Sequence, residues 1–272
     1  RAADVAALPA GPVGRDIVAW YRLRAGEGDF DDYRAFLARR ADWPDHATIR
    51  EAAEGAIPPG ARPETVLDFF ARHEPATGAG VLRLIEAHEA LGHTGDAMAL
   101  AVKAWLTLPL GAAAEESLLA RYATELAPFH EDRLDAMLWA DERSAAGRMR
   151  PRVGEGWREL AEARQALADR VPGVDARIAA VPEDLRDHPG LAYERFNWRA
   201  RNGRREDAIA LLLERSTGAE ALGRPERWAN WRRIYARMRL REDDPLSAYA
   251  LASRHFLVEG AQFADLEWLA GF

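Results

Sequence analysis
The sequence predicts an all-α protein, a superhelical array of antiparallel helix pairs in the manner of a TPR-like α-solenoid. Three observations carry this. Apolar residues recur with helical periodicity along nearly the whole chain, and no β-branched alternating run of strand length has hairpin turns around it. A two-helix pattern repeats at loosely regular spacing. Alanine supplies roughly a fifth of the residues, and nearly every cation is arginine, both strong helix formers, although GC-rich coding produces the same bias.

In order along the chain, residues 1–15, with Pro9, Gly11, Pro12 and Gly14, read as a loose arm. Asp16 is expected to cap a helix through Ile17, Trp20, Tyr21 and Leu23, which Gly26-Glu27-Gly28 ends. Asp29 opens the next, with Phe30, Tyr33, Phe36 and Leu37 on one face. Asp42-Trp43-Pro44 breaks it, and Pro44 or Asp45 starts another.

The repeated pattern is a helix that ends at glycine or a charged turn, followed by a helix that opens on an acid and then small and apolar residues. Its copies are Gly26 to Tyr33, Ala90 to Leu100, Arg201 to Leu211 and Arg241 to Leu251. Ala97, Ala208 and Ala248 fall near multiples of roughly 37–40 residues, a loose tetratricopeptide period. Small residues at these positions let the paired helix approach closely. One such hairpin cannot bury its apolar face alone, so the units are expected to stack. The reading is one continuous superhelical domain over 16–272. Phe263, Leu266, Trp268, Leu269 and Phe272 form a helix without a polar close, so the domain is expected to continue beyond Phe272 as part of a longer polypeptide.

Composition narrows function. The chain has 272 residues, a net charge of −7 and no cysteine, which excludes a zinc–cysteine site, a cysteine nucleophile and a disulfide framework. No apolar run approaches the roughly 18–20 residues of a membrane helix. Lys103 is the sole lysine, and the acidic balance speaks against nucleic acid as a partner. No phosphate-cradling glycine loop and no Gly-x-Ser-x-Gly elbow occurs.

His88-Glu89-Ala90-Leu91-Gly92-His93 has the look of a zinc-protease helix. That motif needs histidines four apart. Five apart, on a continuous helix, they point about 140° from one another. The expectation is therefore a polar helix end, with no metal. Glu115 and Glu116 diverge by about 100° and make no glycosidase pair. In the segment from Arg224 to Arg241, Trp228, Trp231, Tyr235 and Met238 define a buried face. Arg233, Arg237 and Arg241 lie opposite, either as a solvated face paired with acids or as a cationic strip for an anionic, extended ligand.

The order of several segments resembles a known family. They are Ile17 to Arg24, Phe36 to Pro44, His188 to Arg195, Trp228 to Arg237, and Ala248 to His255 leading into Ala264 to Phe272. Together they resemble the N-terminal superhelical domain of the soluble lytic murein transglycosylases of Gram-negative bacteria, over about residues 16–272. The resemblance implies a periplasmic protein without metal or cofactor. Its parent enzyme would cleave the bond between N-acetylmuramic acid and N-acetylglucosamine to a 1,6-anhydro product. It also implies that a catalytic glutamate sits in a separate lysozyme-like domain of the same polypeptide, in a Glu-Ser-x-Phe setting. Here Glu116-Ser117 is followed by Leu118-Leu119, so that role is not carried onto Glu116 and no catalytic residue is assigned. The expected partners are peptidoglycan strands and the catalytic domain, with Arg233, Arg237 and Arg241 as candidate contacts. The competing expectation is a TPR-like adaptor for a protein partner.

Overall fold
A computed structural model describes residues 11–271, and within them every regular element is helical. The chain divides into two compact units, Arg1–Arg133 and Leu134–Phe272.

The first unit holds α1 (Gly11–Arg24), α2 (Phe30–Arg39), α3 (His46–Ala56), α4 (Pro63–Phe70), α5 (Gly78–Ala90), α6 (Thr94–Thr107), α7 (Ala112–Leu126) and the start of α8 (His130–Trp139). Neighbours in sequence pack on one another, α5 on α6 and α4 on α5 above all. Phe30, Tyr33 and Phe36 of α2 are buried with Leu23, Ile49, Phe69 and Phe70. Ala97, Ala101 and Ala104 turn one small-residue stripe of α6 fully inward. The second unit holds the rest of α8, α9 (Arg143–Met149), α10 (Glu155–Asp169), α11 (Val174–Ala180), α12 (Pro189–Arg201), α13 (Arg205–Arg215), α14 (Ala219–Leu222), α15 (Pro225–Arg241), α16 (Pro245–Ser253) and α17 (Ala261–Gly271). Its larger core gathers Phe196, Leu212, Trp228, Tyr235, Leu251 and Leu266.

The repeated sequence pattern has one local structure. In all four copies the residue after the helix C-cap is left-handed: Gly26 (φ +81°), Gly92 (φ +76°), Gly203 (φ +73°) and Asp243 (φ +60°). The following amide then reaches back to the carbonyl five residues earlier, Glu27 to Arg22, His93 to His88, Arg204 to Arg199 and Asp244 to Arg239, at 2.9–3.0 Å. This is the Schellman closure, which satisfies orphan carbonyls and reverses the chain for the next helix. Asp29 and Asp244 cap the helices that follow, accepting from the amides of Asp32 (2.9 Å) and Ser247 (3.1 Å).

One expected boundary differs. The first helix begins at Gly11, so Asp16 lies inside it and is buried instead of capping it. Its carboxylate accepts from Arg39 Nη2 (2.8 Å) and Arg40 Nε (2.7 Å). Burial works to raise its pKa, but these hydrogen bonds outweigh burial and hold it below the ordinary range. The part of the expected arm before Gly11 lies outside the described residues.

Candidate functional site
On α15 the aromatic face is inward as expected. Trp228 and Tyr235 are buried, Trp231 and Met238 pack against the same core, and Trp228 Nε1 donates to the Leu222 carbonyl at 3.0 Å. On the other side Arg233 and Arg237 converge on one carboxylate, Asp265 of α17. Arg237 Nη2 lies 2.5 Å from Oδ1, and Arg233 bonds Oδ2. Hydrogen bonds from Arg237 and Arg233 hold the Asp265 carboxyl below the usual range. Arg241, the last residue of the helix, is exposed. Two guanidiniums against one carboxylate leave a local excess of positive charge.

Sequence reasoning missed the arginine between them. Arg232 is wholly buried, with Nη1 donating to the Leu251 carbonyl (2.8 Å) and Nη2 to Ser216 Oγ (2.6 Å). Burial lowers its pKa to about 10. The signal was available: Arg232 lies four residues after Trp228 and three before Tyr235, on the aromatic face itself.

Beside that face opens a groove of about 630 Å³, lined by Gly203, Arg204, Arg205, Glu206, Trp231 and Tyr235, among others. Trp231 and Tyr235 stack at 5.4 Å and 25°. The rim is charged and internally paired, Arg204 with Asp207 at 2.7 Å and Arg205 with Glu242 at 3.3 Å. Tyr235 is buried beneath, so the groove meets solvent through the half-buried Trp231 and its polar rim, which suits a ligand with one apolar face and several hydrogen-bonding groups.

A second cluster of ionisable groups in this unit centres on a buried arginine. Arg164, almost fully buried, bonds Asp135 and sits over the Trp139 ring at 5.2 Å, while its Nε and Nη2 make no hydrogen bond. His188 Nε2 stands 3.9 Å from Asp135. Burial lowers the His188 pKa, with Arg164 and Arg215 acting in the same sense and Asp135 opposing. Glu194 lines the same cleft, where burial and the charge of Asp141 push its pKa up to about 7. The free space beside Arg164 and Glu194 is about 20 Å³, room for about one water.

In the first unit, Glu115 is buried in an ion pair with Arg133, whereas Glu116 is exposed. Within the same unit His88, His93 and Asp96 come together: one ligand atom from each lies within 4.8 Å of the others. The divergence expected of the two histidines holds only for a continuous helix. The helix stops at Ala90, and the left-handed Gly92 folds His93 back toward His88.

No known protein family, curated protein or solved structure matches the chain.

Proposed function
We propose that this chain is the non-catalytic superhelical scaffold of a periplasmic lytic murein transglycosylase. It would hold the catalytic domain of the same polypeptide and bear on peptidoglycan strands. The observation that supports it most is the array of helix hairpins, four of them closed by the same left-handed turn, in the segment order that resembles that family's N-terminal domain. The groove beside Trp231 offers a half-buried indole and a charged rim of the kind a glycan strand with peptide stems uses. Arg233 and Arg237, in charge excess over Asp265, and the exposed Arg241 add cationic surface on the same helix for stem carboxylates.

The test is co-sedimentation of the purified chain with murein sacculi, together with assay of released muropeptides. Expected are saturable binding, several-fold weaker for Trp231→Ala, and no release of 1,6-anhydromuropeptides. Absence of binding would overturn the glycan contact, and turnover by the chain alone would overturn the non-catalytic role. A second reading, a TPR-like adaptor, draws on Leu246, Tyr249 and Val258, which expose apolar surface at and after α16. Capture of a protein partner lost on Tyr249→Glu, with no binding to sacculi, would favour it.

A further inference from the structure
We propose that His88, His93 and Asp96 form a site for a divalent transition metal of the Zn²⁺ class at the turn between α5 and α6. The inference is independent of the scaffold reading, because it rests on residues of the first unit alone.

The turn itself makes the site. His88 lies in the last turn of α5 and Asp96 in the first turn of α6. Gly92 at φ +76° permits a reversal that a residue with a Cβ adopts only under strain. The amide of His93 then closes on the His88 carbonyl at 2.9 Å and that of Gly92 on Glu89 at 3.0 Å. These bonds fix the backbone of both histidines relative to each other, and the ring centroids come to 5.9 Å. Three ligands on one braced turn lose little chain entropy when a metal binds.

The ligand atoms are near coordination spacing. Metal–ligand bonds of about 2.0–2.1 Å place adjacent ligand atoms of a tetrahedron about 3.4 Å apart. His88 Nδ1 and Asp96 Oδ2 stand 3.9 Å apart, too far for a hydrogen bond. The trio as a whole lies within 4.8 Å. His93 and Asp96 are exposed, so side-chain rotation alone closes the remaining distance. His88 is the half-buried template: its Nδ1 is shielded from water and makes no hydrogen bond, a lone pair or N–H without a use in the metal-free fold.

The donor set selects the metal. Two imidazoles and one carboxylate suit Zn²⁺, Co²⁺, Ni²⁺ or Cu²⁺, whereas Mg²⁺ and Ca²⁺ call for more oxygen ligands. Neighbouring Glu89 does not compete, since it is held by Tyr122 Oη at 2.6 Å and Arg121 at 3.2 Å. With His93 and Asp96 exposed, water would complete the coordination. Binding would tie the end of α5 to the start of α6, bracing one hairpin of the array.

The experiment is titration of the full, untagged chain with ZnCl₂ by calorimetry, checked by chelator competition and by thermal unfolding with and without metal. Expected are one saturable site, a rise in unfolding temperature with Zn²⁺, and no competition from equal concentrations of MgCl₂ or CaCl₂. His93→Ala and Asp96→Asn should each weaken the site at least about tenfold and abolish the thermal shift. Both positions are exposed, so the variants keep the fold, which circular dichroism checks. No saturable binding by the wild-type chain, or undiminished binding in both variants, would overturn the site.

Discussion

The Arg133 guanidinium and the Glu115 carboxylate form an ion pair that water does not reach, with side chains 0% and 5% exposed. Arg133 also lies over the Trp105 ring at 4.3 Å and bonds the carbonyls of Trp105 and Leu108 (3.3 Å for the second), closing the end of α6. One arginine thus ties α6, α7 and α8 within the first unit. Truncating its partner removes a carboxylate bonded to a buried cation. Glu115→Ala should therefore destabilise the protein by about 3–5 kcal/mol, while Glu116→Ala, one residue on at the surface, should fall within about 0.5 kcal/mol of wild type. Urea unfolding of the two variants side by side checks the contrast.

Glu194 sets a pH dependence. Its carboxyl titrates near 7 in the folded protein, against an ordinary value of 4.5. Between those values the folded state binds the proton and the unfolded state does not. The stabilisation is full below pH 4.5 and is lost as pH rises toward 7, with a total near 3 kcal/mol for a difference of this size. Glu194→Gln, neutral throughout, should flatten this slope and exceed the wild-type unfolding temperature at pH 8. A slope unchanged by the substitution would contradict the assignment.

Gly190 is required by Arg164. A Cβ at Gly190 would stand 2.3 Å from the Arg164 Cζ. A guanidinium can often swing aside, but this one is buried, bonded to Asp135 and laid on Trp139. Gly190→Ala should cost about 1–3 kcal/mol, as overpacking does, seen as a lowered urea midpoint with an unchanged slope. Gly147, where a Cβ meets nothing within 4 Å, is the control: Gly147→Ala in α9 should be neutral or stabilising.

Asp265 joins α17 to α15 through two arginines. The three side chains are partly exposed, so Asp265→Ala should cost only about 1 kcal/mol in low salt and less in high salt. The same change frees Arg233 and Arg237. If that strip meets stem carboxylates, binding to sacculi should rise in the Asp265→Ala variant and fall in Arg233→Ala/Arg237→Ala.

Local features of this fold were legible in the residues. The cap at Asp29, the inward Phe30, Tyr33 and Phe36, and the buried stripe of Trp228 and Tyr235 all follow from nearest-neighbour rules and helical period. Pattern failed where the deciding partner was distant in sequence. Asp16 resembles a cap until Arg39 and Arg40 reach it, and the helical period puts Arg232 on the buried face but does not name Ser216 and Leu251 as the partners that let a cation lie there.

By itself the sequence determined that this protein is a helical array with turns at Gly26, Gly92, Gly203 and Asp243, because hydrogen-bond closure and φ > 0 are local demands met by local residues. Only the tertiary structure decided which charges are buried and which side chains converge. Arg133 with Glu115, Arg164 with Asp135, and His88 with His93 and Asp96 meet because the chain folds back on itself. A periodicity that assigns faces to one helix carries no information about what the next turn brings against them.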